Sequence, residues 1–294
     1  MRLKLVPRNT SWNFFLRSKL WIGISIILVV LSLISFFVQS LNFGIDFRGG
    51  TSIRTESSEP VNVAAYRNAL SSLDLGDITI SEVFDPSFED NQNVAMIRIQ
   101  AQPGQEAATS ILVENSLQKL KEVNEDIKFV SVESVGPKVS GELIRTAIIA
   151  VVLAISAVLF YIWIRFEWQF AVGAISALIH DVILTIGVFS LLQIKFDLAI
   201  IAAILTIVGY SLNDTVVVFD RVRENLRKFK KRSLIEVMNL SINETMSRTV
   251  MTSVTTLLAL ISLFVLGGDV IRGFVFAMIW GVVVGTYSSI FIAS

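Results

Sequence analysis

The stretch "GYSLNDTVVVFDRVREN", Gly209 to Asn225, places a carboxyl where chemistry can follow from it. Leu198 to Leu212, fifteen residues, carry no charge, and then Asn213 and Asp214 stand side by side. A carboxylate inside an apolar helix costs at least about 2.5–3.5 kcal/mol, so it is expected to face protein or water and to have a use. Desolvation disfavours the charged carboxylate and a neighbouring cation favours it. A group balanced between the two can take up and release a proton, which is what a relay requires. Arg248, in "TMSRTV", is the candidate cation, since a guanidinium stays charged throughout. Thr245, Thr249, Thr252 and Thr256 follow at spacings of four, three and four and share a helix face. Two readings of that stripe stand: hydroxyls that hold water beside the acid, or hydroxyls bonded to their own helix backbone. His180 and Asp181 form a second polar pair, read either as a further relay element or as a hydrogen bond that fixes packing. The second reading is preferred, with Asp181 expected to matter more than His180.

These side chains need apolar elements to carry them, and the composition supplies them. Of 294 residues, 53% are hydrophobic and 17% charged, and the mean hydropathy is +0.67. That balance reads as an integral membrane protein. Crossing the hydrocarbon core takes about 20 apolar residues. Six stretches qualify: Leu20 to Val38, Ala147 to Ile164, Gln169 to Leu192, Leu198 to Phe219, Thr249 to Leu266, and Gly273 to the chain end. The first is read as a retained helix, because its apolar run exceeds the roughly 7–15 residues of a signal core. At about 1.5 Å per residue Asp214 lies roughly 24 Å along the fourth stretch. "GVVVG", Gly281 to Gly285, is a small-residue pair that lets two helices approach closely, read as intramolecular packing.

Basic residues set the expected orientation. Met1 to Lys19 holds five Lys or Arg and no acid, and Asp220 to Arg248 holds eight basic residues. Both are assigned to the cytoplasmic side, the second as a basic loop over 220–248 whose solvated face can also touch anionic lipid. Asp220, Arg221, Arg223 and Glu224 are read as interface anchors. Gln39 to Glu142 holds 16 acids against eight bases and is assigned outside. Both termini then fall inside, and a further cytoplasmic tail is expected past Ser294. The chain divides into a leader (1–19), one crossing (20–38), an outer domain (39–142) and five crossings (143–294).

The outer domain reads as folded. "RGGTSIRT" (Arg48 to Thr55), "DITISEVF" (Asp77 to Phe84), "NVAMIRIQ" (Asn93 to Gln100) and "IKFVSVESVG" (Ile127 to Gly136) alternate as strands do. Val61 to Leu73 and Gln105 to Val123 read as helices. The order β-α-β-β-α-β is the split unit of a ferredoxin-like fold. With no nucleophile beside a base and no phosphate loop, this domain is expected to be a contact surface. The chain has no cysteine and one histidine, which excludes disulfides, thiolate chemistry and a metal site built from several imidazoles. No cofactor, no metal and no nucleic-acid partner are expected, and no enzyme activity; protons are the expected coupling ion.

"GYSLNDTVVVFDRVREN", "FGIDFRGG" (Phe43 to Gly50), "ALIHDV" (Ala177 to Val182) and "MSRTV" (Met246 to Val250) together resemble the SecF family of the bacterial Sec protein-export machinery. The resemblance covers essentially the whole chain. It implies a multi-pass subunit of the cytoplasmic membrane that pairs with SecD in a twelve-helix unit similar to RND-type exporters. It further implies association with the SecYEG channel and use of the proton-motive force at late stages of preprotein export. The family's intramembrane aspartate falls on Asp214 and its arginine on Arg248. Asp46, Arg48, Gly49 and Gly50 match its hinge element between the first helix and the outer domain. Two other functions remain open: a structural subunit that positions SecD, and a stand-alone proton-coupled exporter of small solutes.

Overall fold

The computed structural model describes residues 10–73, 75–86, 88, 89, 91–101 and 110–294. Residues 1–9 of the basic leader and the first residues of the helix expected from Gln105 lie outside them.

Six helices are long and apolar enough to span a membrane: α1 (Ser18–Gln39), α5 (Pro137–Arg165), α6 (Trp168–Leu192), α7 (Leu198–Lys228), α8 (Leu234–Leu266) and α9 (Gly268–Phe291). A helix satisfies its own backbone, which is why apolar sequence in a membrane takes this form. Burial separates them into two groups. About half of the apolar window is buried in α6 (50%), α7 (44%) and α9 (56%), against 11% in each of α1, α5 and α8. The first three form the centre. Small side chains allow it: Ala171, Ala174 and Ala177 of α6 pack near Phe219 of α7, and Ala203 of α7 near Ala277 of α9.

The outer domain is a four-stranded antiparallel sheet of β1 (Gly50–Ser57), β2 (Ile78–Val83), β3 (Asn93–Gln100) and β4 (Lys128–Val135), in the order β2-β3-β1-β4. This is the ferredoxin-like arrangement. The helices α3 (Val63–Leu70) and α4 (Ser110–Lys121) cover one face. Ile53, Leu70, Ile97, Leu120 and Ile127, fully buried, are its core. The first strand starts at Gly50, not Arg48, because Ile45–Arg48 winds into one helical turn, α2. Gly49 and Gly50 then take φ of 74° and 137°, a region open chiefly to glycine. A Cβ on Gly50 would run into the carbonyl oxygen of Ile99. Gly50→Ala is therefore expected to destabilise the outer domain by about 1–3 kcal/mol, read as an earlier thermal transition, with the membrane helices unaffected.

Two boundaries differ from the sequence reading. α5 begins at Pro137, with proline at a first-turn position that needs no N–H, so the outer domain ends before Glu142. The region expected as a basic loop over 220–248 is a helical hairpin: α7 runs to Lys228, and α8 starts at Leu234 behind a capping box of Ser233 and Glu236. Polar bonds hold it. Arg221 Nε and Asn225 Nδ2 donate to Glu244 Oε2 at 2.6 and 2.7 Å, and Asn225 also donates to Ser241 Oγ at 3.0 Å. The charges that end the apolar run therefore extend the helices rather than break them.

Candidate functional site

The buried positions of α7 recur every three or four residues, at Ile200, Ala203, Ile204, Ile207, Ser211, Asp214, Thr215 and Val218, so one stripe faces the other helices. Asp214 lies on that stripe, 2% exposed. Asn213 is one residue out of phase, about 100° round the helix, and is exposed. The two polar residues that looked like a pair therefore serve different faces, and Asn213 does not join the buried acid.

α8 faces Asp214 with Thr249 rather than with Arg248. Thr249 is 2% exposed and is the hydroxyl nearest the carboxyl in its effect, with Arg248 acting only as a more distant charge. Arg248 is exposed, and no ion pair joins it to Asp214 among the described residues. Thr249 is the polar neighbour of the carboxyl, yet Asp214 Oδ2 and Thr249 Oγ1, both buried, do not meet hydrogen-bond geometry with each other or with another described residue. Two facing orphan polar atoms at the centre of a bundle are costly unless something polar, such as water, is shared between them. The rest of the threonine stripe divides. Thr245 and Thr252 bond their own backbone, at Ser241 (3.0 Å) and Arg248 (2.9 Å), while Tyr210 Oη donates to Thr256 at 3.5 Å.

Asp181 is the better connected acid. It is 1% exposed. Its Oδ2 accepts from Ser211 of α7 at 2.7 Å and from Ser288 of α9 at 2.8 Å, and its Oδ1 lies 3.0 Å from His180 Nδ1. One carboxyl thus ties α6, α7 and α9 together, one turn of α7 from Asp214. Thr215 and Ser289 meet at 2.9 Å beside it. His180 stacks near Tyr287, ring centres 6.0 Å apart, whose hydroxyl donates to the Trp21 carbonyl at 2.9 Å. Ser211 and Ser288 were not legible as partners in the sequence. Their only signal is a hydroxyl three residues from Asp214 and another three residues from Gly285 of the "GVVVG" pair. Those glycines explain the approach: a Cβ on Gly281 would strike Ile207, and one on Gly285 would press on Ser211.

Asp46, Arg48, Gly49 and Gly50 are seated rather than loose. Asp46 Oδ2 accepts from the Leu198 N–H at 3.1 Å, at the start of α7, where a carboxylate also suits the helix dipole. Gly44 N–H donates to the Phe196 carbonyl and Phe196 N–H to the Asn42 carbonyl, both at 2.8 Å. Arg48 is exposed. A second seat lies at the α8–α9 turn, where Asp269 N–H donates to the Phe84 carbonyl at 3.1 Å and Asp269 Oδ2 accepts from Phe84 N–H at 2.6 Å. Between the seats, the sheet and the helix ends enclose a cavity of about 620 Å³ lined by Arg54, Glu82, Arg98, Asp197 and Arg272 among others. Burial holds the Arg98 guanidinium below its usual range, with Asp197 opposing the shift. The outer domain is thus attached directly to the ends of α7 and α9, the helices that carry Asp214, Ser211 and Ser288. Among the described residues no cluster of acids or histidine could hold a metal.

The family profile described as "Protein export membrane protein SecD/SecF, C-terminal" matches residues 115–294, and the "SecD/SecF GG Motif" matches residues 34–61. The chain is 60% identical over 292 residues to the protein translocase subunit SecF of Cereibacter sphaeroides, covering 99% of this chain and 90% of that one. It is 57% identical to its counterpart in Rhodobacter capsulatus, covering 99% and 90%. Among solved structures it is similar to SecDF, a translocon-associated membrane protein from Thermus thermophilus, with a TM-score of 0.86 and 34% identity. That match covers 100% of this chain and 39% of the solved one, so this chain spans well under half of that protein. SecDF in a super-membrane-facing form matches with a TM-score of 0.72 and 35% identity, over 99% of this chain and 39% of that one. Six spanning helices, the glycine-rich entry to a ferredoxin-like sheet and this identity along the whole chain lead to one conclusion: the chain belongs to the SecF family of protein translocase subunits.

Proposed function

We propose that this subunit couples proton movement to late preprotein export, in a complex with SecD at the SecYEG channel of the cytoplasmic membrane. Asp214 is the group that takes up a proton from outside and releases it inside. The observation that carries the reading is the pair of buried, unpartnered atoms Asp214 Oδ2 and Thr249 Oγ1. Both oxygens of Asp181 are engaged, whereas Asp214 Oδ2 is not, which leaves Asp214 the freer of the two to exchange a proton. Arg248 biases Asp214 from a distance as a positive charge. Neutralising Asp214 changes how α7 sits on α8 and α9. Asp46 and Asp269 join the outer ends of α7 and α9 to the sheet, so the change reaches the domain that meets the exported chain. A membrane potential of 100 mV supplies about 2.3 kcal/mol per proton, enough to bias a two-state element severalfold. Two solved SecDF structures of nearly equal identity to this chain fit it with TM-scores of 0.86 and 0.72, which supports a fold with more than one arrangement. This reading assigns the basic α7–α8 hairpin to the cytoplasmic side and the sheet to the other, from the distribution of basic residues.

The test compares vesicles with and without this chain, alongside SecD and SecYEG. An uncoupler should remove the whole difference in late export between them. A difference that persists without a proton gradient refutes coupling. The second reading, a subunit that only positions SecD, is favoured by the Asp181 clasp and by the apolar exposed faces of α1, α5 and α8. It predicts that exchanging the charges, Asp214→Arg with Arg248→Asp, restores export. With no ion pair between the two residues, the swap is expected to leave export lost. A stand-alone small-solute exporter is the weakest reading, since the chain matches only part of the solved SecDF assembly.

A further inference from the structure

The segment from Thr10 to Phe15 lies across the start of α8, held by two side chains one turn apart. Asn243 grips the backbone of Trp12 at both ends: its Oδ1 accepts from the Trp12 N–H at 2.9 Å and its Nδ2 donates to the Trp12 carbonyl at 2.8 Å. Asn239 Oδ1 accepts from the Phe14 N–H at 2.8 Å, and its Nδ2 donates to Asn13 Oδ1 at 3.2 Å. The grip fixes where the strap runs, and Phe14 and Phe15 point the result inward. Both pack on an apolar layer that includes Val218 and Met246. Val218 lies one turn of α7 past Asp214, and Met246 one turn of α8 before Thr249. The strap therefore covers an apolar layer between Asp214 and Thr249 and the end of the bundle that carries the basic hairpin.

We propose that the Thr10–Phe15 strap is a gate: Asn239 and Asn243 hold it shut, and Phe14 and Phe15 complete an apolar seal that keeps water from Asp214 at that end. This rests on the proton-coupling reading for its purpose but not for its existence. Apolar constrictions close by dewetting, so a seal two phenylalanines thick suffices while they stay in place. The bonds that hold the strap are only partly buried, with Trp12 half exposed above the buried Asn243, so they can be exchanged for water as the helices shift.

The chain has no cysteine, so an introduced thiol is its only one, and vesicles with the unsubstituted chain give the background. Thr249→Cys places it beneath the seal, in the full chain in membrane vesicles with SecD. A membrane-impermeant maleimide, applied from the hairpin side, should label it slowly. Adding Asn239→Ala with Asn243→Ala should speed labelling by about tenfold or more. Phe14→Ala with Phe15→Ala thins the seal without touching the grip and should do the same. Unchanged labelling in both pairs overturns the gate. Faster labelling in either pair, with the thermal transition of the complex retained, supports it; faster labelling with the transition lost reports unfolding and counts against it. Should labelling rise while the uncoupler experiment shows no coupling, the gate stands and only the proton reading falls.

Discussion

Under the proposed coupling, Asp214→Asn is expected to abolish proton-dependent stimulation of export while leaving assembly with SecD and thermal stability intact. The substitution keeps the shape and polarity of the side chain and removes only its titration. Asp214 accepts no hydrogen bond at Oδ2, so little native bonding is lost, and a charge that would be expensive to hold in the bundle is removed. Stability should stay level or rise slightly. Asp214→Glu keeps a titrating group in a site sized for one methylene less and should retain partial stimulation. Thr249→Val removes the facing hydroxyl at constant volume; it should reduce stimulation without removing it. The measurement is export rate with and without an imposed proton gradient, beside the melting temperature of the complex. A stimulated Asp214→Asn protein would end the relay reading; a destabilised one would assign Asp214 a packing role.

Asp181→Ala is expected to have the opposite profile, a large loss of stability. The carboxyl accepts from Ser211 and Ser288 and is bonded to His180, on three helices, all buried. Removing it leaves three polar groups without their partner in an apolar interior. At roughly 1 kcal/mol or more for each, with the desolvation penalty added, the loss comes to about 3–5 kcal/mol. Asp181→Asn retains one acceptor oxygen and should cost about 1–2 kcal/mol. Unfolding in detergent, followed by loss of helical signal or by aggregation temperature, checks both. If Asp181→Ala melts as the native chain does but loses proton-dependent stimulation, Asp181 belongs to the relay and not to the clasp.

These two aspartates show what could be read in advance. Six spans, the sheet's strand order class and the two helices on one of its faces follow from local pattern: runs of apolar residues long enough for a bilayer, and alternation with period two between turns. Asp214 and Asp181 were recognisable for the same reason, since a carboxyl in an uncharged run has no innocent local explanation. The packing reading preferred for Asp181 was legible as well; the partners of either acid were not. The apparent pairs Asn213–Asp214 and Asp214–Arg248 were adjacent in sequence or in expected depth, but helix rotation by about 100° per residue puts Asn213 outside and presents Thr249, not Arg248, to the acid.

The sequence by itself determined that this chain inserts, where it crosses, and which acids it buries, because the free energy of moving apolar and charged groups between water and lipid depends on composition and spacing alone. Only the tertiary structure decided which acid is satisfied and which is not. Whether Ser211 and Ser288 reach Asp181, whether Asp46 and Asp269 hold the sheet to the helix ends, and whether Thr10–Phe15 lies over Asn239 and Asn243 all depend on helices brought together from distant parts of the chain. Hydrogen bonds act over about 3 Å and demand direction, so their partners are set by packing and not by sequence neighbourhood.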